Sequence, residues 1–314
     1  VHARIYLPRT TPRQKRDRVA AIGGPSVEVV VRGDVYDDAA EAALRDAAET
    51  GATVVPAFDA ADIMAGQGTI AAEIVEELGH APDVVVVPVG GGGLLGGVAT
   101  WFRDRHPQTR VVGVEPAGAP SMIASLEAGG PVTLEEMDGF VDGAAVRRAG
   151  DLTHAAVAAT GTELTSVAEG AICVEMLAMY QADGIIAEPA GAMATTVLAD
   201  LDITPGSTLV AVVSGGNNDV SRYAEVVERS LVYEGRKHYF LVEFPQEPGA
   251  LRRFLDEVAP DVRHVIVAVD MPDLGDDLRA AGVMGESVSI VPLDDHPLGM
   301  PTARARNVGA TAAL

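Results

Sequence analysis

The sequence predicts an α/β fold: a layered, mostly parallel sheet with helices on both faces, followed by a smaller α+β segment. Three observations carry this. Short β-branched runs alternate with helical stretches from residue 1 to about 230. The runs at 84–87 and 209–213 are apolar throughout rather than alternating, as expected for strands covered on both faces. The composition then changes after Ser230. Strand–helix alternation of this length gives parallel strands joined by right-handed crossovers.

Taken in order, the expected strands of the first part are residues 3–7, 27–31, 52–55, 84–87, 110–114 and 208–213. Thr11-Pro12 offers a helix cap followed by proline at the first helical position, and Gly23-Gly24 ends that helix. Residues 36–50 are Ala-rich with early acids, and Gly51 closes them. Gly66-Gln67-Gly68-Thr69 reads as a helix start capped by Thr69. Residues 166–180, with Ile172, Val174, Met176, Leu177 and Met179, read as a buried helix. Beyond Arg236-Lys237 come an expected strand at 238–244, a turn at 245–249, a short helix at 250–258 and a strand at 264–269. Prolines 272, 292, 297 and 301 break the remainder, and the final stretch lacks an apolar period and is expected to be poorly ordered. The expected division is therefore residues 1–235 and 236–314, the second part diverging after about 259.

The chain has 314 residues, with 23 Lys+Arg against 45 Asp+Glu and a formal charge of −22. That balance argues against tracking nucleic-acid phosphates and against docking on anionic lipid. The single cysteine, Cys173, excludes a disulfide framework and a Cys-based zinc site, and the seven histidines show no metal spacing. No apolar run approaches the roughly 18 residues of a membrane span, and no leader opens the chain. The expectation is a cytoplasmic protein with no nucleic-acid or membrane partner. Because Val1 stands where Met would and a strand follows at once, a fragment of a longer protein is expected.

The feature richest in chemistry is Gly90-Gly91-Gly92-Gly93-Leu94, directly after the all-Val strand and before a helix. Consecutive glycines let several main-chain N–H groups converge, and a helix N-terminus adds a positive dipole end. Together they hold a phosphate without Lys or Arg. No Walker lysine follows, and the run is not read as a Gly-x-Gly-x-x-Gly fingerprint with a later ribose acid, so a mononucleotide or cofactor phosphate fits better than a dinucleotide. Ser214-Gly215-Gly216-Asn217 follows another apolar strand, where α/β ligand crevices form. Its hydroxyl suits a ring nitrogen, and a plain glycine turn explains it equally well. Glu188, before Pro189-Ala190-Gly191-Ala192, reads on its own as a helix-entry acid. Asp142-Gly143-Ala144-Ala145 reads as a turn. Arg9, Arg13, Lys15, Arg16 and Arg18 read as a solvated basic helix face, and Cys173 as a core residue.

In order along residues 1 to about 235, Tyr6-Leu7-Pro8, Gln14-Lys15, Gly66–Thr69, Gly90–Leu94, Val114-Glu115-Pro116, Asp142–Val146, Glu188–Ala192 and Ser214–Asn217 resemble the fold type II pyridoxal-phosphate (PLP) enzymes. Within that tryptophan-synthase-β-like family the resemblance is to the biosynthetic threonine dehydratases, or threonine ammonia-lyases. The segment at 238–245 resembles the start of their ACT-like regulatory domain. The resemblance implies that Gly90, Gly91, Gly92, Gly93 and Leu94 hold the phosphate of pyridoxal 5'-phosphate, that Ser214 meets the pyridine nitrogen, and that Glu188 lies near the ring. It implies conversion of L-threonine to 2-oxobutanoate and ammonia for isoleucine synthesis, an amino-acid substrate, isoleucine as effector, and a homo-oligomer. The family's Schiff-base lysine lies upstream of the point where this sequence begins, and neither Lys15 nor Lys237 stands in its context. No catalytic residue is therefore identified, and the chain is expected to be inactive in this form. Two alternatives stay open: a truncated pseudoenzyme that binds a phosphate ligand or a full-length paralogue, and a serine/threonine dehydratase or serine racemase of the same fold.

Overall fold

A computed structural model describes residues 2–11, 13–218, 220–237, 264–268 and 288–292. The chain divides into two units, Val1–Tyr223 and Ala224–Leu314.

The first unit opens with β1 (Ala3–Leu7), α1 (Arg13–Gly23), β2 (Val27–Val31) and α2 (Tyr36–Thr50). β1 and β2 pair in parallel, Ile5 opposite Val29. Asp38 starts α2 by accepting the amides of Asp34 and Val35 at 2.8 and 3.2 Å, and these bonds hold its carboxyl below the usual value. Gly51 ends α2 in the left-handed conformation, as its position in the sequence predicts.

There follow α3 (Ala61–Leu78), β3 (Val84–Pro88), α4 (Gly93–Arg105), β4 (Arg110–Pro116), α5 (Ser121–Ala128), α6 (Asp151–Thr160), β5 (Glu163–Val167), α7 (Glu169–Asp183), α8 (Pro189–Thr196) and β6 (Leu209–Ala211). The strands form one parallel sheet in the order β5-β4-β3-β6. β3 is buried along its whole length, which is why its sequence carries no polar alternation. Val85, Val87, Leu95, Val98, Phe102 and Met122 form the centre of the core. The α/β architecture predicted from alternation is thus the one observed.

Several local expectations are corrected. Residues 52–55 form no strand, and Val55 is 77% exposed. β-branched residues supply propensity, but without a neighbouring strand that propensity yields nothing. β5 was not anticipated, because Glu163-Leu164-Thr165-Ser166-Val167 is a short, partly polar sheet-edge segment. It takes residues 166–167 from the expected helix, which begins instead at Glu169 as α7 and buries Ile172, Cys173, Met176 and Met179 on one face. α3 starts at Ala61, so Gly66–Thr69 lies within it rather than at its start. Ala60 makes no side-chain cap, which leaves the true start without a signal.

Gly68 has a different role from the one expected. α3 and α4 cross there so closely that a methyl on Gly97 would overlap Met64 O and lie 2.7 Å from Gly68 N. The second unit holds α9 (Tyr223–Tyr233) from Ala224 on, and its β7 (His264–Ala268) pairs in parallel with β8 (Val288–Pro292). The strand expected at 264–269 is present, and β8 was not anticipated. The elements expected at 238–244 and 250–258, and the C-terminal stretch, lie outside the described residues.

The α3–α4 crossing sets a test. Gly97→Ala is expected to destabilise the protein by about 1–3 kcal/mol through overpacking. Gly66→Ala, on the same helix with open space around it, is expected to stabilise by roughly 0.5–1 kcal/mol. Urea unfolding of both variants beside the parent chain measures the two.

Candidate functional site

β3 ends at Pro88, and the four glycines turn the chain into α4 at the carboxyl edge of the sheet. Val89 N still donates to Val114 O at 2.8 Å, so the ladder runs up to the turn. After it, the amides of Gly90, Gly91, Gly92, Gly93 and Leu94 donate to no acceptor among the described residues. Gly91, Gly92 and Gly93 are buried and Gly90 and Leu94 half-buried, so a run of main-chain donors without an acceptor among the described residues gathers at a helix N-terminus. Such donors are costly to leave unpaired, and their dipoles sum with that of the helix. Gly92 has φ of 90°, which requires glycine.

The second wall comes from other carboxyl-edge loops. A methyl on Gly90 would sit 2.9 Å from Ala144 O, and one on Gly143 would sit 3.1 Å from Glu188 Oε1. Glu188 N donates to Gly215 O at 3.1 Å, and Asn218 Nδ2 to Ala187 O at 3.0 Å. The glycine turn, residues 143–144, Glu188 and the loop after β6 therefore adjoin one another in series. Ser214 is exposed in that loop and bonds to none of the described residues.

Glu188 stands at the entry of α8, as expected, but makes no side-chain cap there. Its carboxylate instead meets Lys15 Nζ at 3.5 Å, and Lys15 meets Asp142 at 2.8 Å. The three side chains are only 15–25% exposed, and Arg222 reaches Asp142 from the other side at 3.3 Å. Lys15 is thus no part of a merely solvated basic face. α1 carries it 127 residues in sequence from Asp142, a separation that no local pattern reveals. Asp142 likewise anchors this ion cluster as well as making a turn.

Glu115, at the end of β4, is fully buried. It accepts the amides of Met122 and Ile123 at 2.8 Å each, capping α5. Burial outweighs those bonds and pushes its carboxyl up to about 7. Cys173 is a buried core residue, as expected. Among the described residues no group of three or more His, Cys, Asp or Glu is placed to hold a metal ion. No described helix is long and apolar enough to cross a membrane.

A parallel sheet whose carboxyl edge carries an amide-lined glycine turn defines a binder of phosphorylated cofactors. Residues 1–215 match the family model described as pyridoxal-phosphate dependent enzyme, and the chain belongs to that family. Residues 228–263 match the C-terminal regulatory domain of threonine dehydratase. The chain is 60% identical over 260 residues to the biosynthetic L-threonine dehydratase of Mycobacterium tuberculosis, covering 82% of this chain and 61% of that protein. Identity to the Bacillus subtilis counterpart is 45% over 260 residues, again 82% and 61%. This chain therefore spans about 61% of the length of these curated relatives. Among solved structures, the processed form of threonine deaminase isoform 2 from Solanum lycopersicum superposes with a TM-score of 0.66 at 36% identity, covering 73% of this chain and 66% of that one. Maize serine racemase gives 0.64 at 27%, covering 75% and 72%. The fold is that of the fold type II PLP enzymes.

The residues present fit the coenzyme this family is named for. An uncharged set of unpaired amides, with no room for a Cβ at Gly90 or Gly91, suits a phosphate ester's oxygens. The pairing of Lys15 with Asp142 and Glu188, and the residues Phe58, Asp59 and Thr153 beside the glycine turn, carry no signal in the sequence. Nothing local marks them, since each acts on the site from an element far away in sequence.

Glu115 sets a pH-dependent expectation. Its folded pKa of about 7 lies above the ordinary 4.5, so the folded state holds the proton more tightly. The stability it contributes is fully present below about 4.5 and is lost as pH rises to about 7. The stability of the parent chain minus that of Glu115→Gln should fall by at most roughly 3 kcal/mol between about pH 5 and 8. Urea melts of both proteins across that range check this.

Proposed function

We propose that this chain forms the coenzyme-binding body of a PLP-dependent threonine dehydratase, a carbon–nitrogen lyase that converts L-threonine to 2-oxobutanoate and ammonia. The observation that carries the reading is the run of unpaired amides from Gly90 to Leu94 at the start of α4. The names of the relatives supply the substrate. When bound, the coenzyme supplies an electron sink for the substrate's α-carbon.

In this reading Gly90, Gly91, Gly92, Gly93 and Leu94 hold the phosphate. Ser214 holds the pyridine nitrogen through a neutral hydroxyl, which does not force a proton onto it as a carboxylate would. That choice suits β-elimination. Glu188 lies beside the ring, its charge balanced by Lys15 at 3.5 Å, and it is given no proton-transfer step. Residues 1–235 form this body. Residues 236–314 form an ACT-like regulatory segment, incomplete or divergent after about 259, with isoleucine as the proposed effector and a homo-oligomer as the assembly. The match of residues 228–263 to a threonine dehydratase regulatory domain supports that assignment.

One observation favours a second reading, a chain that binds the coenzyme phosphate without turnover. The sequence has two lysines. Lys15 is paired with Asp142 and Glu188, and Lys237 with Glu228 at 2.6 Å. Neither is offered as the covalent anchor, so residues 1–314 alone are proposed not to turn threonine over.

The test is equilibrium dialysis of the full chain against PLP, followed by borohydride reduction and mass spectrometry. The expected result is reversible binding, at least about tenfold weaker in Gly92→Ala because φ of 90° is closed to alanine, with no reduced adduct. A lysine adduct together with 2-oxobutanoate formed from threonine would overturn the no-turnover reading. Equal binding by Gly92→Ala would overturn the phosphate site.

A further inference from the structure

We propose that Thr153, held by Asp59, is a positioning residue that aims the amide donors of the glycine turn at the coenzyme phosphate. This rests on the reading of that turn as the phosphate site and extends it to residues outside the turn.

The argument begins with one peptide plane. The carbonyl of Gly91 and the N–H of Gly92 belong to the same trans peptide, so they point in opposite directions and move together. Gly91 O accepts the Thr153 hydroxyl at 2.6 Å and, more weakly, Gly150 N at 3.5 Å. Pinning that oxygen therefore pins the direction of the Gly92 N–H. Glycine needs such a restraint more than any other residue, because its own backbone is the least restricted. Thr153 is completely buried, and its Cβ and Oγ1 lie where they would meet a methyl on Gly92 at 3.0 Å.

Thr153 is in turn fixed by its own helix start. The first-turn amides of α6, those of Asp151, Leu152 and Thr153, donate to the Asp59 carboxylate at 3.0, 2.9 and 3.1 Å. Gly150 offers no side chain for that cap. The anion comes instead from the segment before α3, where it also complements the helix dipole. The neighbouring residue completes the strut. A methyl on Gly91 would overlap the Phe58 ring, and one on Gly93 would lie 3.0 Å from Phe58 Cβ. Phe58 itself packs against Tyr36, with ring centroids 5.5 Å apart and planes tilted by 37°. The dipeptide Phe58-Asp59 thus packs against the turn with one residue and, through Thr153, orients it with the other.

A merely structural cap and a positioning residue differ in what they change. The experiment measures binding of PLP and of phosphate-free pyridoxal to the full chain, with the phosphorus NMR shift of bound PLP as a second readout. Thr153→Val, Thr153→Ser and Asp59→Asn are compared with the parent chain, and circular dichroism and melting temperature report folding. Thr153→Val is expected to weaken PLP binding about tenfold or more and to move the phosphorus line, while leaving pyridoxal binding unchanged. Thr153→Ser, which keeps the hydroxyl, is expected to retain the parent affinity and shift. Asp59→Asn, which loses charge and one acceptor, is expected to fall between them. PLP affinity unchanged in Thr153→Val, or PLP and pyridoxal affinities lost in parallel, would overturn the positioning role. If Thr153→Val does not fold, an unchanged PLP affinity and phosphorus line in Asp59→Asn would overturn it. A parent chain that binds PLP no better than pyridoxal would instead refute the phosphate site, and the positioning role with it.

Discussion

The structure turns on a run of main-chain amides that have no partner among the described residues. Unpaired donors in a buried turn cost free energy that the rest of the molecule must offset. The offset is visible in how the turn is held. β3 lies in the middle of the sheet and is buried along its length, so the turn leaves a rigid platform. α4 is locked to α3 by the Gly68–Gly97 approach. Phe58 packs against the near side of the glycines, and Met122, on the helix capped by Glu115, packs against Gly92. Anion binding at such a place needs no cation, which fits a chain whose charge is strongly negative.

Charge is placed sparingly and with purpose. Two buried or half-buried carboxylates, Glu115 and Asp59, are spent on helix N-termini rather than on ligand. Each fixes a helix that touches the glycine turn. Lys15, a cation at the candidate site, is committed to Asp142 and Glu188. An ion pair of this kind, shielded from solvent on both sides, fixes geometry more than it adds stability. It ties α1 of the two-stranded sheet to the loops of the four-stranded one.

The architecture and the glycine turn were legible in the sequence because both depend on local pattern. Continuous apolar runs announce buried parallel strands, and four adjacent glycines announce a backbone that must bend tightly. Where pattern and context part company, the reading failed. Residues 52–55 carry strand propensity without a neighbouring strand. β5 has a neighbour but little apolar signal. α3 starts at an alanine, which marks nothing.

What the sequence by itself determined is the class of fold and the place of the glycine turn between β3 and α4. These follow from periodicity and from backbone freedom, which are properties of adjacent residues. Only the tertiary structure decided that Lys15 faces Glu188, that Asp59 caps a helix 92 residues further on, and that Thr153 holds Gly91. Each of those is a bond between distant segments, set by how the helices cross the sheet, and no spacing along the chain encodes it.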